Sequence, residues 1–216
     1  MATPPDLQPL WTFLESEVIW LHGRWQIYRQ IFGTNPKCID IINEIARTFF
    51  WVLQRVLMND VQLTLMKFAD RPSTFGKDNA TLEKLLTEVE QLPEPALAQD
   101  LRSALIQYRA TCAKIKTRRH KDLAHFDLRT QLSDKAVSLP NPSRAEIEEA
   151  LSELRKFMNL FRVHYEGSYM AYEHFAMQDD ANTLMYALKE SLRYRALQAD
   201  GTIPFEDILN GPNIDA

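Results

Sequence analysis

Residues 97–127 read L-A-Q-D-L-R-S-A-L-I-Q-Y-R-A-T-C-A-K-I-K-T-R-R-H-K-D-L-A-H-F-D, and they join an apolar pattern to a cluster of positive charge. In the first part, apolar residues recur every three or four positions, which predicts an α-helix with one buried face. These positions are Leu97, Leu101, Leu105, Tyr108, Cys112 and Ile115. The predicted helix therefore leads straight into the charged part of the stretch.

The charged part, residues 114–127, is the one place in the chain where charge and histidine coincide. Five cations stand within eight residues, with no acidic residue before Asp122: Lys114, Lys116, Arg118, Arg119 and Lys121. The whole chain has 25 Lys and Arg against 29 Asp and Glu, a net charge of −4, so the cluster opposes its background. A mildly acidic chain gives no general signal for nucleic acid, so any such binding must depend on this cluster.

The same helical spacing recurs along most of the 216 residues. Helices are predicted from Leu7 to Gly33, from Pro36 to Phe68, around Leu82–Val89 and from Asp180 to Gly201. A further helix is predicted to start at a capping box at Ser143 and to continue through Tyr165 and Tyr169, with a kink at Gly167. Ser73–Asn79 is expected to be a polar loop. No stretch alternates as a strand does, so we predict an all-α bundle of about five to seven helices, two or three of them long. We expect a single domain over residues 7–200 and a C-terminal tail over 201–216.

The helix that begins at Pro36 has the broadest apolar face. Its predicted buried stripe consists of Ile39, Ile42, Ile45, Phe49, Leu53 and Val56. Phe50 and Trp51 widen this stripe, which predicts a central helix.

Composition indicates a soluble, cytoplasmic protein with a substantial core. Apolar residues make up 45% of the chain, and the two cysteines, Cys38 and Cys112, both lie on apolar helical patterns, as reduced core thiols do. The N-terminus lacks the features of a signal peptide. The most apolar window, residues 48–57, is interrupted by Gln54 and Arg55, so we expect no membrane span.

Histidine and arginine in the cluster have the chemistry needed to cleave RNA without a metal ion. A histidine near neutral pH can take the proton of a 2′-hydroxyl group. An arginine can stabilise the negative charge that builds on the phosphorane. On an ideal helix, however, Arg119 and His125 are about 120° out of phase, so they meet only if the helix bends or a second chain contributes. Arg118 and His125 share a face but are separated by roughly 10 Å of rise.

A simpler interpretation of the same residues stays open. Cations are favourable near the C-terminal end of a helix, so the cluster can be a solvated helix end without a function. Arg118 and Asp122 can likewise form an ordinary surface ion pair between successive turns.

The segment from Arg119 to His125, R-H-K-D-L-A-H, resembles the motif of the HEPN superfamily, in which four to six residues lie between an arginine and a histidine. The following Ala-His-Phe-Asp and the segment Phe68–Arg71, F-A-D-R, resemble the AbiU-like branch, which is named for abortive phage infection. The resemblance extends over roughly residues 10–175.

This resemblance implies a metal-independent endoribonuclease that acts in phage defence or as a toxin, without a cofactor. It implies a symmetric homodimer that brings two motifs into one cleft, with RNA as the substrate and a cognate antitoxin protein as a candidate partner. Arg119 and His125 are then the catalytic pair, and His120 occupies the polar position after the arginine. Lys114, Lys116, Arg118 and Lys121 would attract the RNA backbone. Arg118 leaves the register of the motif arginine open by one residue.

Other classes of site have weaker support. A di-iron bundle needs paired Glu-x-x-His motifs, and the sequence offers only Asp122-x-x-His125. His164 and His174 stand among aromatic residues that can stack on bases, although aromatics at this spacing are typically core residues. The alternative function is a catalytically silent helical module that binds a protein or nucleotide or serves in dimerisation.

Overall fold

The computed structural model describes residues 3–118 and 142–203. Within these residues it contains seven α-helices and one short hairpin, which confirms the all-α prediction. The elements are α1 (Gln8–Phe32), α2 (Pro36–Ala69), β1 (Ser73–Thr74), β2 (Lys77–Asp78), α3 (Leu82–Val89), α4 (Pro95–Thr111), α5 (Ala113–Arg118), α6 (Arg144–Glu166), a 3-10 turn (Tyr172–His174) and α7 (Ala181–Ala199). None of the helices in these residues is long and apolar enough to cross a membrane.

The chain divides into two compact units. Unit 1 comprises Met1–Trp25 and Leu57–Ala176, and unit 2 comprises Gln26–Val56 and Met177–Ala216. Helices α1 and α2 each contribute one part to unit 1 and the other part to unit 2. The single domain over residues 7–200 stays a prediction, and most of the expected tail, residues 204–216, lies outside the described residues.

In unit 1, α1 and α6 pack antiparallel through aromatic residues. Trp11, near the start of α1, stacks on Phe161 with ring centroids 4.4 Å apart, and its Nε1 donates to Glu166 Oε1 over 2.8 Å. Near the other end of this contact, Trp25 Nε1 donates to Glu148 Oε1 over 2.7 Å. Each tryptophan therefore buries its ring while its N–H reaches a carboxylate at the edge, which leaves neither indole donor unpaired.

Helices α4 and α5 run antiparallel to α6 as well. His164, near the end of α6, lies 3.3 Å from Glu94, which precedes α4. Lys114 on α5 forms an ion pair with Glu146, in the first turn of α6. All six apolar positions predicted for this part of the chain are buried: Leu97, Leu101, Leu105, Tyr108, Cys112 and Ile115. The predicted single helix is divided at Cys112, which caps α4 before α5 begins.

The predicted start of α6 is confirmed, but its predicted end is wrong. Ser143 Oγ accepts from the N–H of Glu146 and the Glu146 carboxylate accepts from the N–H of Ser143, which is the expected capping box. Gly167 does not kink the helix: it takes a left-handed conformation with φ 63° and ends it. A residue in this conformation turns the chain away from the helix axis, and Tyr169 beyond it is consequently 68% exposed.

Unit 2 has its own apolar core. Ile31 from the end of α1 packs with Ile42 and Phe50 of α2 and with Ala181 and Met185 of α7. The expected N-cap of α7 is confirmed, since the Asp180 carboxylate accepts from the N–H of Asn182. Asp180 also accepts from the side-chain amide of Gln30 in α1. The N-cap of α7 is thus bonded to the last turns of α1.

The stripe predicted for α2 is partly wrong, and Ala46 supplies the reason. Phe49 and Val56 were expected to be buried, but they are 61% and 57% exposed, and Trp51 is exposed too. Ala46 has φ −157° and ψ 62°, outside the helical region. On an unbroken helix Phe49 would share the face of Ile42, seven residues earlier. The break changes the phase, so Phe50 is buried instead, at 4% exposed.

The predicted polar loop at Ser73–Asn79 contains the hairpin of β1 and β2. Ser73 pairs with Asp78 and Thr74 pairs with Lys77. The two turn residues, Phe75 and Gly76, both have positive φ, 49° and 74°, as a tight hairpin turn of two residues requires.

The register change at Ala46 can be tested by truncating the two neighbouring phenylalanines. Phe50→Ala should lower the free energy of unfolding by about 3 kcal/mol, because it leaves a cavity among Ile31, Ile42 and Met185. Phe49→Ala should lower it by less than about 1 kcal/mol, because the ring is mostly in water. Urea unfolding followed by circular dichroism measures both variants. The opposite order would mean that Phe49 is the core residue, as the uninterrupted periodicity predicts.

Candidate functional site

The basic cluster begins on α5, whose position depends on α4. Tyr108 near the end of α4 is fully buried, and its hydroxyl donates to the carbonyl oxygen of Leu65 in α2. Burial raises the pKa of this phenol well above its usual value, so the hydroxyl stays a donor. Cys112 and Ile115 continue the buried face into α5. The cations of α5 therefore project from a helix with a packed inner face.

Lys114 is committed to a contact within unit 1. Its Nζ donates to the Glu146 carboxylate, which also completes the capping box of α6. The hydrogen bond from Lys114, followed by that from the backbone of Ser143, lowers the pKa of Glu146. This pair holds the first turn of α5 next to the first turn of α6.

Lys116 faces a cavity of about 640 Å³ in unit 1. The cavity lies between the end of α2, the segment after it, the start of α3 and the α4–α5 junction. Its charged and polar lining includes Asp70, Arg71, Glu83, Arg109 and Lys116. Two cations that are distant in sequence, Arg71 and Lys116, are thereby brought to one place.

Arg109 organises one wall of this cavity. Its Nε donates to the carbonyl oxygen of Ala69 over 3.0 Å, and one terminal nitrogen donates to that of Asp70 over 3.2 Å. The same nitrogen lies 2.6 Å from Glu83 Oε2 on α3. A cation bonded to the last carbonyl groups of a helix is favourable, because these groups have no partner within the helix. Arg109 therefore joins α2, α3 and α4 around the cavity.

Arg109 and Arg71 were not predicted from the sequence to be site residues. The F-A-D-R segment contains Arg71 and resembles the AbiU-like branch, so it could have indicated this arginine. Arg109 follows the buried Tyr108 directly, but periodicity assigns no partner to a residue on the flank of a helix.

The three residues proposed for catalysis, Arg119, His120 and His125, lie outside the described residues, and so does Lys121. Of the predicted RNA-binding cations, Lys114, Lys116 and Arg118 are described. Lys114 and Lys116 are exposed, and Arg118, the last residue of α5, is half-buried. The predicted meeting of Arg119 and His125 stays a prediction.

The remaining histidines lie elsewhere. His22 is buried in unit 1, its Nδ1 donating to Val18 O over 2.9 Å and its Nε2 lying 3.2 Å from a terminal nitrogen of Arg155. Burial lowers the pKa of His22 to about 4, and the nearby Arg155 contributes in the same direction. His164 contacts Glu94, and His174 is exposed. His22 is thus a neutral core residue, as its place on the first helix suggested.

Two of the aromatic residues near His164 and His174 are core residues, whereas Tyr169 is exposed. Tyr165 and Tyr172 are buried, at 4% and 0% exposed, which agrees with the core interpretation. Tyr172 lies beside His22, with ring centroids 5.9 Å apart.

Residues 3–118 and 142–203 contain no group of metal ligands, and Cys112 is not a reactive thiol. No group of three or more His, Cys, Asp or Glu side chains there could hold a metal ion. Burial raises the pKa of Cys112 to about 11, so this thiol stays protonated at neutral pH. Cys112 is buried, as predicted, and forms no disulfide.

Comparison with known proteins assigns the chain to a family. The model of the HEPN family AbiU2 matches residues 5–184, which include α1 to α6 and the segment from Arg119 to His125. The chain belongs to the AbiU2 family of HEPN proteins. Searches of curated proteins and of solved structures found no match.

Membership in AbiU2 confirms the resemblance drawn from the R-H-K-D-L-A-H segment and its helical setting. It indicates a HEPN-type function related to abortive infection. The match also covers α2 and the F-A-D-R segment at its end, so the cavity around Arg71 lies within the AbiU2 part of the chain.

The buried, neutral state of His22 predicts acid sensitivity. The unfolded chain takes up a proton on this residue below about pH 6.5, whereas the folded protein resists protonation until about pH 4. The free energy of unfolding should therefore fall by up to about 3 kcal/mol as pH drops through this window. Urea unfolding between pH 7 and pH 4 measures the slope.

His22→Gln should flatten that slope, since glutamine does not titrate. His174→Gln is the matched control, because His174 is exposed and should leave the slope unchanged. An equal slope in the parent and in His22→Gln would show that other groups cause the acid sensitivity.

Proposed function

We propose that this AbiU2 protein is a metal-independent endoribonuclease that acts in phage defence or as a toxin. The observation that carries the proposal is the family match, which spans the segment with Arg119, His120 and His125. HEPN domains are commonly ribonucleases, and these residues supply the acid–base and charge-stabilising groups that the reaction needs.

The proposed reaction is an internal transesterification of RNA. His125 takes the proton of a 2′-hydroxyl group, whose oxygen attacks the adjacent phosphorus. Arg119 stabilises the phosphorane by hydrogen bonds to its oxygens. The bond from phosphorus to the 5′ oxygen then breaks, and that oxygen receives a proton. The products are a 2′,3′-cyclic phosphate and a 5′-hydroxyl end, so no water and no metal ion enter the cleavage step.

A homodimer resolves the geometric problem of the motif. Arg119 and His125 are six residues apart, and on one ideal helix they point about 120° away from each other. Two copies can supply a base and an acid to the same phosphodiester, one histidine from each chain. We therefore propose a symmetric homodimer with a composite site. An antitoxin protein that blocks this site is a further proposed partner.

The contact between α5 and α6 supports this proposal. The Lys114–Glu146 ion pair holds together the helix before the motif segment and the helix after it. Both helices are packed: Ile115 on α5 and Ile147 on α6 are almost completely buried. Arg119 directly follows α5, so the motif begins at the end of a packed helix, which is better suited to holding reacting groups in position than an isolated loop.

Cleavage is tested with purified protein and a structured RNA pool in EDTA. The parent should cut the RNA and leave 2′,3′-cyclic phosphate ends, while Arg119→Ala and His125→Ala should each lower the rate at least about 100-fold, as loss of an acid–base group does. Product ends are identified by their resistance to direct ligation and by mass spectrometry.

Matched controls separate the motif from general effects of charge loss. Arg193→Ala and His174→Ala remove an exposed arginine and an exposed histidine from the described residues and should cleave like the parent. Arg118→Ala tests the register of the motif arginine. If the folded, dimeric parent leaves the RNA intact while binding it, the chain is a silent binding module instead.

Salt dependence distinguishes the cations of α5. For binding to single-stranded RNA, the slope of log affinity against log salt should become shallower by about 0.7 for each phosphate that the protein no longer neutralises. Lys116→Ala should show this change, because Lys116 is exposed and faces the cavity. Lys114→Ala should change the slope less, because Lys114 is already bonded to Glu146. Fluorescence anisotropy at several salt concentrations measures both, and a larger effect for Lys114 would contradict this assignment.

A further inference from the structure

We infer that the cavity between Arg71 and Lys116 is a binding subsite for one unpaired nucleotide of the RNA, with its phosphate between these two cations. This inference rests on the proposed function and adds a specificity-determining site to it. The described residues that line the cavity all belong to unit 1.

The first support is the division of charge around the cavity. Arg109 and Glu83 neutralise each other over 2.6 Å. Arg71 and Lys116 are both exposed, and neither forms an ion pair with another described residue. Asp70 also lines the cavity, so its described lining carries three cations and two carboxylates, and this excess of positive charge favours an anion. Arginine and lysine together suit a phosphate, one as a fork of donors and the other as a point charge.

The second support is that the backbone beneath Arg71 is fixed while its side chain is exposed. The carbonyl oxygen of Arg71 accepts from the Asn79 side-chain amide over 3.0 Å, and that of Pro72 accepts from the Asn79 N–H over 2.8 Å. Arg109 bonds to the two carbonyl groups that precede them, those of Ala69 and Asp70. Four successive carbonyl groups are thereby satisfied. A guanidinium on such a backbone binds a ligand at a smaller entropic cost.

The third support is the size and chemistry of the space. About 640 Å³ is far more than a phosphate needs and falls within the usual range for small-ligand pockets. Ala69 and Pro72, both half-buried, contribute apolar surface to the cavity. A base can lie against this surface while its phosphate contacts the cations. A recessed cavity of this size admits a base that is unpaired, as in single strands and loops, but not a paired one.

The fourth support is closeness to the proposed catalytic residues along the chain. Lys116 precedes Arg119 by three residues, and three consecutive Cα–Cα steps span at most about 11 Å. Neighbouring phosphates of an extended strand are separated by a comparable distance of several ångströms. The cavity is thus close along the chain to the residues proposed for catalysis. Arg71 and Lys116 would therefore select RNA that is unpaired near the cleavage site.

The test measures binding separately from cleavage. In a non-cleaving His125→Ala background, fluorescence anisotropy measures the affinity for a short unstructured RNA and for the same sequence as a duplex. Arg71→Ala and Lys116→Ala should each weaken single-strand binding about tenfold, with little change for the duplex. The double variant should lose less than the product of the two effects, because both side chains contact one phosphate.

Lys77→Ala is the matched control, because Lys77 is an exposed cation on β2 that does not line the cavity. Thermal unfolding of each variant shows whether the fold is kept, and Arg71→Lys preserves the charge if Arg71→Ala fails to fold. The inference is overturned if the cavity variants bind the single strand as tightly as Lys77→Ala does. It is equally overturned if they weaken single-strand and duplex binding by the same factor.

The same variants in the active chain separate this inference from the proposed function. If the parent cleaves RNA, Arg71→Ala should raise the concentration for half-maximal single-turnover cleavage about tenfold and change the rate at saturation less than about twofold. If the parent cleaves RNA and both variants bind it unchanged, the subsite is refuted and the ribonuclease activity stands. If the parent never cleaves RNA but the variants bind single strands more weakly, the subsite stands and the ribonuclease activity is refuted.

Discussion

The attachment of α4 to the end of α2, by two consecutive residues, determines where the functional surface lies. The Tyr108 hydroxyl donates to the Leu65 carbonyl inside the core, and the Arg109 guanidinium donates to the last carbonyl group of α2 and the one after it. The buried tyrosine hydroxyl would be costly without its acceptor, because burial removes the water that would otherwise satisfy it. The position of α5 therefore depends on contacts made one or two turns earlier in α4.

Periodicity predicted those parts of the fold in which an unbroken helix packs on a neighbour. Every position that the apolar spacing of α4 and α5 predicted to face inward is buried. The Ser143 capping box correctly predicted the start of α6. It failed where one residue leaves the helical region. Ala46 changes the phase of α2, so that Phe50 and not Phe49 is buried. The conformation of a single alanine depends on the residues that pack around it. A local apolar pattern does not contain this information.

The candidate site was likewise predictable from the sequence only in its local features. The sequence shows the cluster of cations and the Arg–His spacing, because both are local features. It does not show that Lys114 bonds to Glu146 or that Lys116 shares a cavity with Arg71, because each pair is formed by helices that meet only in the folded chain. The resemblance at F-A-D-R marked the right segment without its partner. A motif thus indicates which residues matter, while their roles depend on the residues that they contact in the folded chain.

The cations of α5 consequently differ in what they can contribute to binding RNA. A phosphate that approaches Lys114 must compete with the Glu146 carboxylate, so one ion pair is exchanged for another and little free energy is gained. Lys116 forms no ion pair with a described residue, so a phosphate that approaches it displaces no such partner. The number of cations in the cluster therefore overstates the number that are available to an anion. Of the two lysines on α5, Lys116 lines the cavity and is the more available, while Lys114 holds the start of α6 in place.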